Sequence, residues 1–192
     1  MGHIADKEFI RGEVPMTKQE IRAVSVAKLN LKEDSILIDV GAGTGSVGIE
    51  ASTYISSGKV YAIEKKEEGI KLIEINKKKF SIKNLEVIQG TAPDDLCIKN
   101  FDRMFVGGSS GKLDSIVEYF IKYSKEKSII VINAITLETL SEIKNTFEKY
   151  KIKNIEIVNM SIARGKKVGK YTMMYGENPI YIVTGEKGED NE

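Results

Sequence analysis

The sequence predicts an α/β fold, a Rossmann-like, seven-stranded, mostly parallel sheet with helices on both faces and an antiparallel last strand. Three observations carry that expectation. Strand-like and helix-period segments alternate after the first thirty residues; the run Ile36-Leu37-Ile38 leads through Asp39 into the glycine-rich turn Gly41-Ala42-Gly43-Thr44-Gly45; and no helix-period segment separates the last two strand-like runs. With 192 residues and 41% hydrophobic content the chain can bury a sizeable core. It reads as one domain, residues 1–192, with an N-terminal arm (1–16) and a charged, frayed tail (186–192).

Ahead of the first strand, Pro15-Met16-Thr17-Lys18-Gln19-Glu20 announces a helix. Thr17 and Glu20 have the spacing of a capping box, in which each side chain satisfies an otherwise orphaned amide at the other residue. Ile21, Val24, Ala27 and Leu29 follow at helical spacing and mark the core-facing side. On the residues alone Thr17 is a cap and not a ligand. Strands are expected near 35–40, 59–64, 85–90, 101–106, 127–133, 154–162 and 179–185, with the remaining helices near 46–56, 66–80, 110–125 and 136–150. The last two strands are joined by Arg164 to Gly176, a long excursion in place of a crossover, and a direct return makes them antiparallel neighbours.

Glycines permit positive φ and carry no Cβ, so the turn Gly41 to Gly45 can bend sharply and approach a ligand closely. The amides opening the next helix are expected to point at that ligand, with the helix dipole favouring an anionic group, either a pyrophosphate or a carboxylate. Two cofactors fit. Gly43-Thr44-Gly45-Ser46-Val47-Gly48 satisfies the dinucleotide pattern GxGxxG, a weak signal alone, whereas Asp39-x-Gly41-x-Gly43-x-Gly45 resembles motif I of the class I S-adenosylmethionine-dependent methyltransferases. The acid suits a cationic cofactor better than a pyrophosphate. Glu64 ends the strand Lys59-Val60-Tyr61-Ala62-Ile63, and its carboxylate can accept both ribose hydroxyls of either cofactor; the plain alternative is a solvated acid beside Lys65 and Lys66.

Composition removes several classes. Lys plus Arg is 29 against 28 acids, a net charge of +1, so no global field recruits nucleic acid, and Lys77, Lys78 and Lys79 compensate a helix dipole. The single Cys97 excludes an internal disulfide, and no Cys/His cluster offers metal-ligand spacing. Cys97, between Leu96 and Ile98, reads as a small buried or half-buried apolar residue, and His3 as part of a disordered polar tail. No apolar run reaches the ~18 residues of a membrane span and no signal-peptide pattern is present, so no membrane partner and a cytoplasmic location are expected by default.

The segment Pro15 to Val24, followed by Asp39 to Ser46, closely resembles the decarboxylating precorrin methyltransferases of cobalamin biosynthesis. The resemblance covers nearly the full length, including Phe9, Phe105-Val106-Gly107-Gly108 and Asn178-Pro179-Ile180. It implies the class I methyltransferase fold, S-adenosylmethionine as cofactor and a cobalt-precorrin tetrapyrrole as substrate. The implied reaction is methylation at ring carbon 15 with decarboxylation of the acetate on carbon 12, and the implied assembly is a homotetramer in which the last excursion can take part. Carried over by position, it assigns cofactor contacts to Thr17, Gly41, Ala42, Gly43, Thr44, Gly45, Glu64 and Ala92, the last lending its backbone to a wall against the adenine. Thr17 then serves as both cap and ligand. Many relatives resemble one another in having Asp where this chain has Glu64; one extra methylene keeps the carboxylate.

Methyl transfer from a sulfonium is an in-line displacement that needs alignment and no metal or nucleophilic side chain, so no catalytic residue is singled out. Val106-Gly107-Gly108-Ser109-Ser110-Gly111 stands where amino-group methyltransferases often carry Asn/Asp-Pro-Pro-aromatic, which argues against adenine or glutamine-amide methylation. Gly107 and Gly108 serve either a tight turn or substrate clearance. A polycarboxylate substrate calls for cations, and Arg164, Lys166, Lys167 and Lys170 are expected to grip it, a solvated loop or subunit contact being the alternative. The competing readings are a small RNA or protein methyltransferase, a nicotinamide-dependent reductase disfavoured by Asp39 and the short chain, and a cofactor-binding subunit without activity.

Overall fold

The structure, a computed structural model, describes residues 3–188. Its strands are β1 (Ile36–Val40), β2 (Lys59–Glu64), β3 (Leu85–Gln89), β4 (Phe101–Val106), β5 (Ser124–Ala134), β6 (Lys153–Met160), β7 (Ala163–Val168), β8 (Tyr171–Gly176) and β9 (Ile180–Glu186). The helices are α1 (Gln19–Lys28), α2 (Ser46–Ser52), α3 (Glu67–Lys79), α4 (Leu113–Tyr123) and α5 (Leu137–Lys149). Seven strands form one sheet in the order β3-β2-β1-β4-β5-β9-β6, with β9 antiparallel to β5 and β6 and the other pairs parallel. The chain steps outward from β1 to β3, then returns to the other side of β1 as β4. Loops leaving β1 and β4 therefore part in opposite directions, and such a switch point opens a crevice at the C-terminal edge of the sheet.

The central strands carry the apolar stretches Ile36-Leu37-Ile38 in β1, Met104-Phe105-Val106 in β4 and Ile129 to Ile132 in β5, because both of their faces are buried there. Ile38, Val40, Met104, Val106, Ile130 and Ile132 point to one face, against Ile116 and Phe120 of α4 and Phe147 of α5. Leu37, Phe105 and Val131 point to the other, against Val26 of α1, Val47 of α2 and Ile73 of α3. In α4 the buried residues Leu113, Ile116, Val117 and Phe120 keep a helical stripe toward the sheet.

The N-terminal arm is ordered and fastened. Arg22 of α1 is fully buried; its Nε donates to Glu50 at 2.7 Å, and its NH1 to Asp6 at 3.0 Å and to the Thr17 carbonyl at 2.7 Å. Its NH2 donates to the Ile4 carbonyl, and the Phe9 ring lies 4.8 Å from the guanidinium carbon. Asn76 of α3, also fully buried, accepts from the Ile10 amide at 2.8 Å, and its Nδ2 donates to the Ile10 carbonyl at 2.9 Å and to Thr44 at 3.2 Å. These bonds lay the arm across α2 and α3 and deliver Val14 to Lys18 to the crevice.

Several expectations change. His3 is held by Glu50, 2.5 Å from Nδ1 to Oε1, and does not hang in a free tail. The capping box is not made: α1 opens at Gln19 with Lys18 as its N-cap and no side-chain cap, because Glu20 is drawn instead to Gln19 and Arg164. Cys97 is exposed while Leu96 turns inward. The first residues of the expected tail are not frayed: Glu186 ends β9, and Lys187 is 7% exposed with its ammonium on the Ser124 carbonyl and Glu126; residues 189–192 of that tail lie outside the described residues. The excursion between the last two sheet strands is an antiparallel hairpin, β7 with β8, turned at Gly169 and exposed along its whole length, so it lacks the burial pattern that marks a strand in sequence. Among the described residues no helix is long and apolar enough to cross a membrane, and no group of His, Cys, Asp and Glu could hold a metal ion.

Breaking one side of a buried ion pair strands the other charge. Arg22→Met is therefore expected to lower unfolding free energy by about 3–5 kcal/mol, read by urea denaturation, and Glu50→Leu in the same chain to restore a large part of it.

Candidate functional site

A cavity of about 400 Å³ opens at the C-terminal edge of the sheet. Its floor is the turn between β1 and α2, and neighbouring backbone explains that turn's glycines. Gly41 has φ +69°, and a Cβ there would lie 2.6 Å from the Gly108 carbonyl oxygen; Gly43 has φ +57°, and its Cβ would lie 2.8 Å from the Pro15 carbonyl oxygen. Any side chain would thus push the β4–α4 loop or the arm off the turn.

Four amides of this turn have protein acceptors. Gly41 and Ala42 donate to the Ile63 carbonyl at 3.0 and 3.1 Å, and Gly45 to Ala42 at 2.8 Å. Gly43 donates to Glu64 Oε2 at 2.9 Å, and Gly48 to Asp39 Oδ2 at 2.9 Å. Four amides of the turn are thus turned to protein acceptors, and the Glu64 carboxylate stands in the cavity where a pyrophosphate would need donors. That favours a cationic ligand over a dinucleotide.

Asp39 acts through the turn, since it does not line the cavity. It is 1% exposed and its Oδ1 has no partner, so burial pushes its carboxyl up to about 7, the Glu64 charge adds to the rise, and the Gly48 amide opposes it. Glu64 does line the cavity, with Oε2 on Gly43 and Oε1 on the Lys66 amide at 2.8 Å. Each oxygen keeps a second lone pair for a hydroxyl donor. A Cβ at Gly69 would come within 2.7 Å of Glu64 Cγ, so bare Gly69 makes room for an acid one methylene longer than Asp.

Thr17, Gly41, Ala42, Gly43, Glu64, Ala92, Gly107 and Gly108, all singled out in the sequence, come together around this cavity. Thr44 and Gly45 do not: Thr44 is fully buried with an unpartnered hydroxyl, and Gly45, at φ +76°, is the N-cap of α2 over Ile73. Arg164, Lys166, Lys167 and Lys170 lie on the hairpin and none lines the cavity. Arg164 is bound to Glu20 at 2.7 Å and Glu177 at 2.6 Å, drawing the Glu20 carboxyl down to about 2. Lys166 and Lys170 lie over Tyr175 and Tyr171. The cations that do line the cavity are Lys18, Lys65 and Lys66, with Lys65 reaching Ser110 at 3.0 Å across the mouth. Asn133 was missed, although a lone amide closing the apolar run of β5 at the ligand-binding edge was visible in the sequence.

Asp39 ionises near 3.8 when unfolded and near 7 when folded, so the folded chain keeps the proton over that window and stability falls as pH rises through it. Asp39→Asn keeps an acceptor for Gly48 without the charge. Urea denaturation should show the variant gaining on wild type, on the order of a few kcal/mol, between about pH 4.5 and about pH 8; a pH-independent difference would contradict the raised value.

A family model described as the precorrin methyltransferase domain matches residues 8–187. The probable cobalt-precorrin-6B C(15)-methyltransferase (decarboxylating) of Saccharolobus solfataricus is 42% identical over 189 residues, covering 96% of this chain and 95% of that protein. The crystal structure of precorrin-6y C5,15-methyltransferase from Geobacter metallireducens GS-15 superposes with a TM-score of 0.90 at 36% identity, over 96% of this chain and 97% of that one. A SAM-dependent O-methyltransferase from Thermotoga maritima, 20% identical, shares the fold alone, with a TM-score of 0.78 over 92% of this chain and 68% of that one. The fold is thus that of S-adenosylmethionine-dependent methyltransferases, and since the family model and the relatives match nearly the whole chain, the chain belongs to the precorrin methyltransferase family.

Proposed function

We propose that this chain is a cobalt-precorrin-6B C(15)-methyltransferase (decarboxylating), which methylates a ring carbon of a cobalt-precorrin and removes the carboxyl of an acetate side chain. One observation carries the reading: similarity to proteins of that name extends over 96% of the chain, so it includes the loops around the acceptor as well as the cofactor turn.

The residues present fit S-adenosylmethionine. Glu64 presents a carboxylate to the cavity, and the turn amides that bond within the protein leave fewer donors for a pyrophosphate. Thr17, Gly41, Ala42, Gly43, Glu64 and Ala92 would hold it, with the Glu64 lone pairs taking ribose hydroxyls. When bound, S-adenosylmethionine supplies an electrophilic methyl group on a sulfonium. The chain's own part is to align the acceptor carbon with that group and to exclude water, which alone supplies a large share of the rate. In decarboxylation the bond to the carboxyl breaks, the electron pair passes into the conjugated ring, and a proton is taken up there.

The same reading includes a homotetramer. Val168, Tyr171, Met173, Met174 and Tyr175 of the hairpin segment are exposed, as are Ile155 and Ile157 of the edge strand β6. A two-stranded ribbon is marginal alone in water, and an apolar surface of this kind supports a subunit contact.

Incubation with S-adenosylmethionine and cobalt-precorrin-6B should give a product with one added methyl and one lost carboxyl by mass spectrometry; preferential labelling of RNA would end the proposal. Glu64→Gln should weaken cofactor binding roughly tenfold or more by calorimetry, about 1.4 kcal/mol. Tyr171→Asp with Met174→Asp should reduce the mass measured by light scattering, and an unchanged mass would remove the hairpin from the contact.

A further inference from the structure

The cavity has a second half that the cofactor reading leaves without a role. Along the strand order β2-β1-β4-β5, Glu64 ends β2 and Asn133 nears the end of β5. They are three interstrand spacings apart, about 14 Å, and both line the same cavity. A ligand held at Glu64 and extending over β1 thus leaves the β4, β5 and β9 side for whatever it reacts with.

Two groups that line the cavity have donors the fold leaves unused. Asn133 is half-buried in an apolar strand, and its Oδ1 accepts from the fully buried Ser25 hydroxyl of α1 at 3.1 Å. That bond fixes the carboxamide from behind, and among the described residues no protein acceptor takes its Nδ2. Lys18 is the N-cap residue of α1, a position that prefers small polar side chains and disfavours positive charge. It lines the cavity and has no acidic partner among the described residues. Met16, Ile135 and Ile180 line the same cavity, with Ile135 65% exposed. Glu64, an acid that also lines the cavity, already holds two amides. An ammonium and an amide in one cavity, both donors, select an acceptor that carries negative charge, and a flat apolar body would cover the exposed aliphatic groups.

We infer that Lys18 and Asn133 form the acceptor subsite, receiving one side-chain carboxylate of the macrocycle while Met16, Ile135 and Ile180 meet the face of the ring. The inference rests on the proposed function for the identity of the acceptor. Asn133 is a positioning and specificity residue, oriented by Ser25, and Lys18 is the charge that fixes which edge of the ring enters.

The test uses the full chain saturated with S-adenosylhomocysteine and titrated with cobyrinic acid, a cobalt-corrin polycarboxylate. Lys18→Gln and Asn133→Leu should each weaken corrin binding about tenfold or more, while S-adenosylmethionine affinity in the same preparations stays within about twofold. Lys18→Arg should recover most of the loss. Asn133→Asp, which keeps the acceptor for Ser25 but opposes a carboxylate, should weaken corrin binding further than Asn133→Leu. Wild-type corrin affinity in the Lys18 and Asn133 variants, beside a wild type that binds corrin, overturns the subsite and leaves the proposed function standing. Parallel loss of cofactor binding in those variants also overturns it, by making both residues supports of the cofactor half. A wild type that binds cofactor but no corrin overturns the proposed function and the subsite together.

Discussion

The cavity's shape depends on how Asp39 and Glu64 occupy the backbone donors of the turn between β1 and α2. Asp39 takes the Gly48 amide inside α2, and Glu64 takes the Gly43 amide at the crest of the turn. Glu64 ends β2 and Asp39 is the last residue but one of the neighbouring parallel β1, so the sheet register sets the distance between the points at which the turn is held. Burial makes Asp39 resist ionisation, and the Glu64 charge adds to that resistance. The turn is therefore closed by two acids of which Glu64 alone faces the cavity, and a cationic ligand meets that carboxylate favourably where an anionic one would not.

The second constraint is the arm. A single buried guanidinium gathers Ile4, Asp6, Thr17 and Glu50, and a single buried carboxamide gathers Ile10 and Thr44. Both work because their alternatives are poor: a buried charge or amide without partners is expensive, so the arm is held wherever these side chains are satisfied. The wall Val14 to Lys18 is consequently part of the fold and not an appendage to it, and Gly43 must be bare because that wall comes so close.

Much of this was legible. Each strand of the large sheet lies within a few residues of its expected position, since burial on both faces writes an apolar stretch into each of β1, β4 and β5. The direct return into β9 gave the antiparallel final pair. Where side chains had to choose among partners, sequence spacing was a poor guide. Thr17 and Glu20 have capping-box spacing, yet Glu20 goes to Arg164, some 144 residues away in the chain. Thr44 sits inside the motif but points into the interior, because a turn has an inside as well as an outside. The basic run from Arg164 to Lys170 was conspicuous by density, whereas the cations that line the cavity are scattered at Lys18, Lys65 and Lys66 and meet only in three dimensions.

Arg164 grips Glu20 with both of its terminal nitrogens, and Glu20 lies in the first turn of α1, next to Lys18 at the cavity wall. An ion pair thereby ties the projecting ribbon to the helix that begins at the cavity wall. The tie bypasses the sheet, so whatever covers the outer surface of the ribbon sits one ion pair and two residues from that wall.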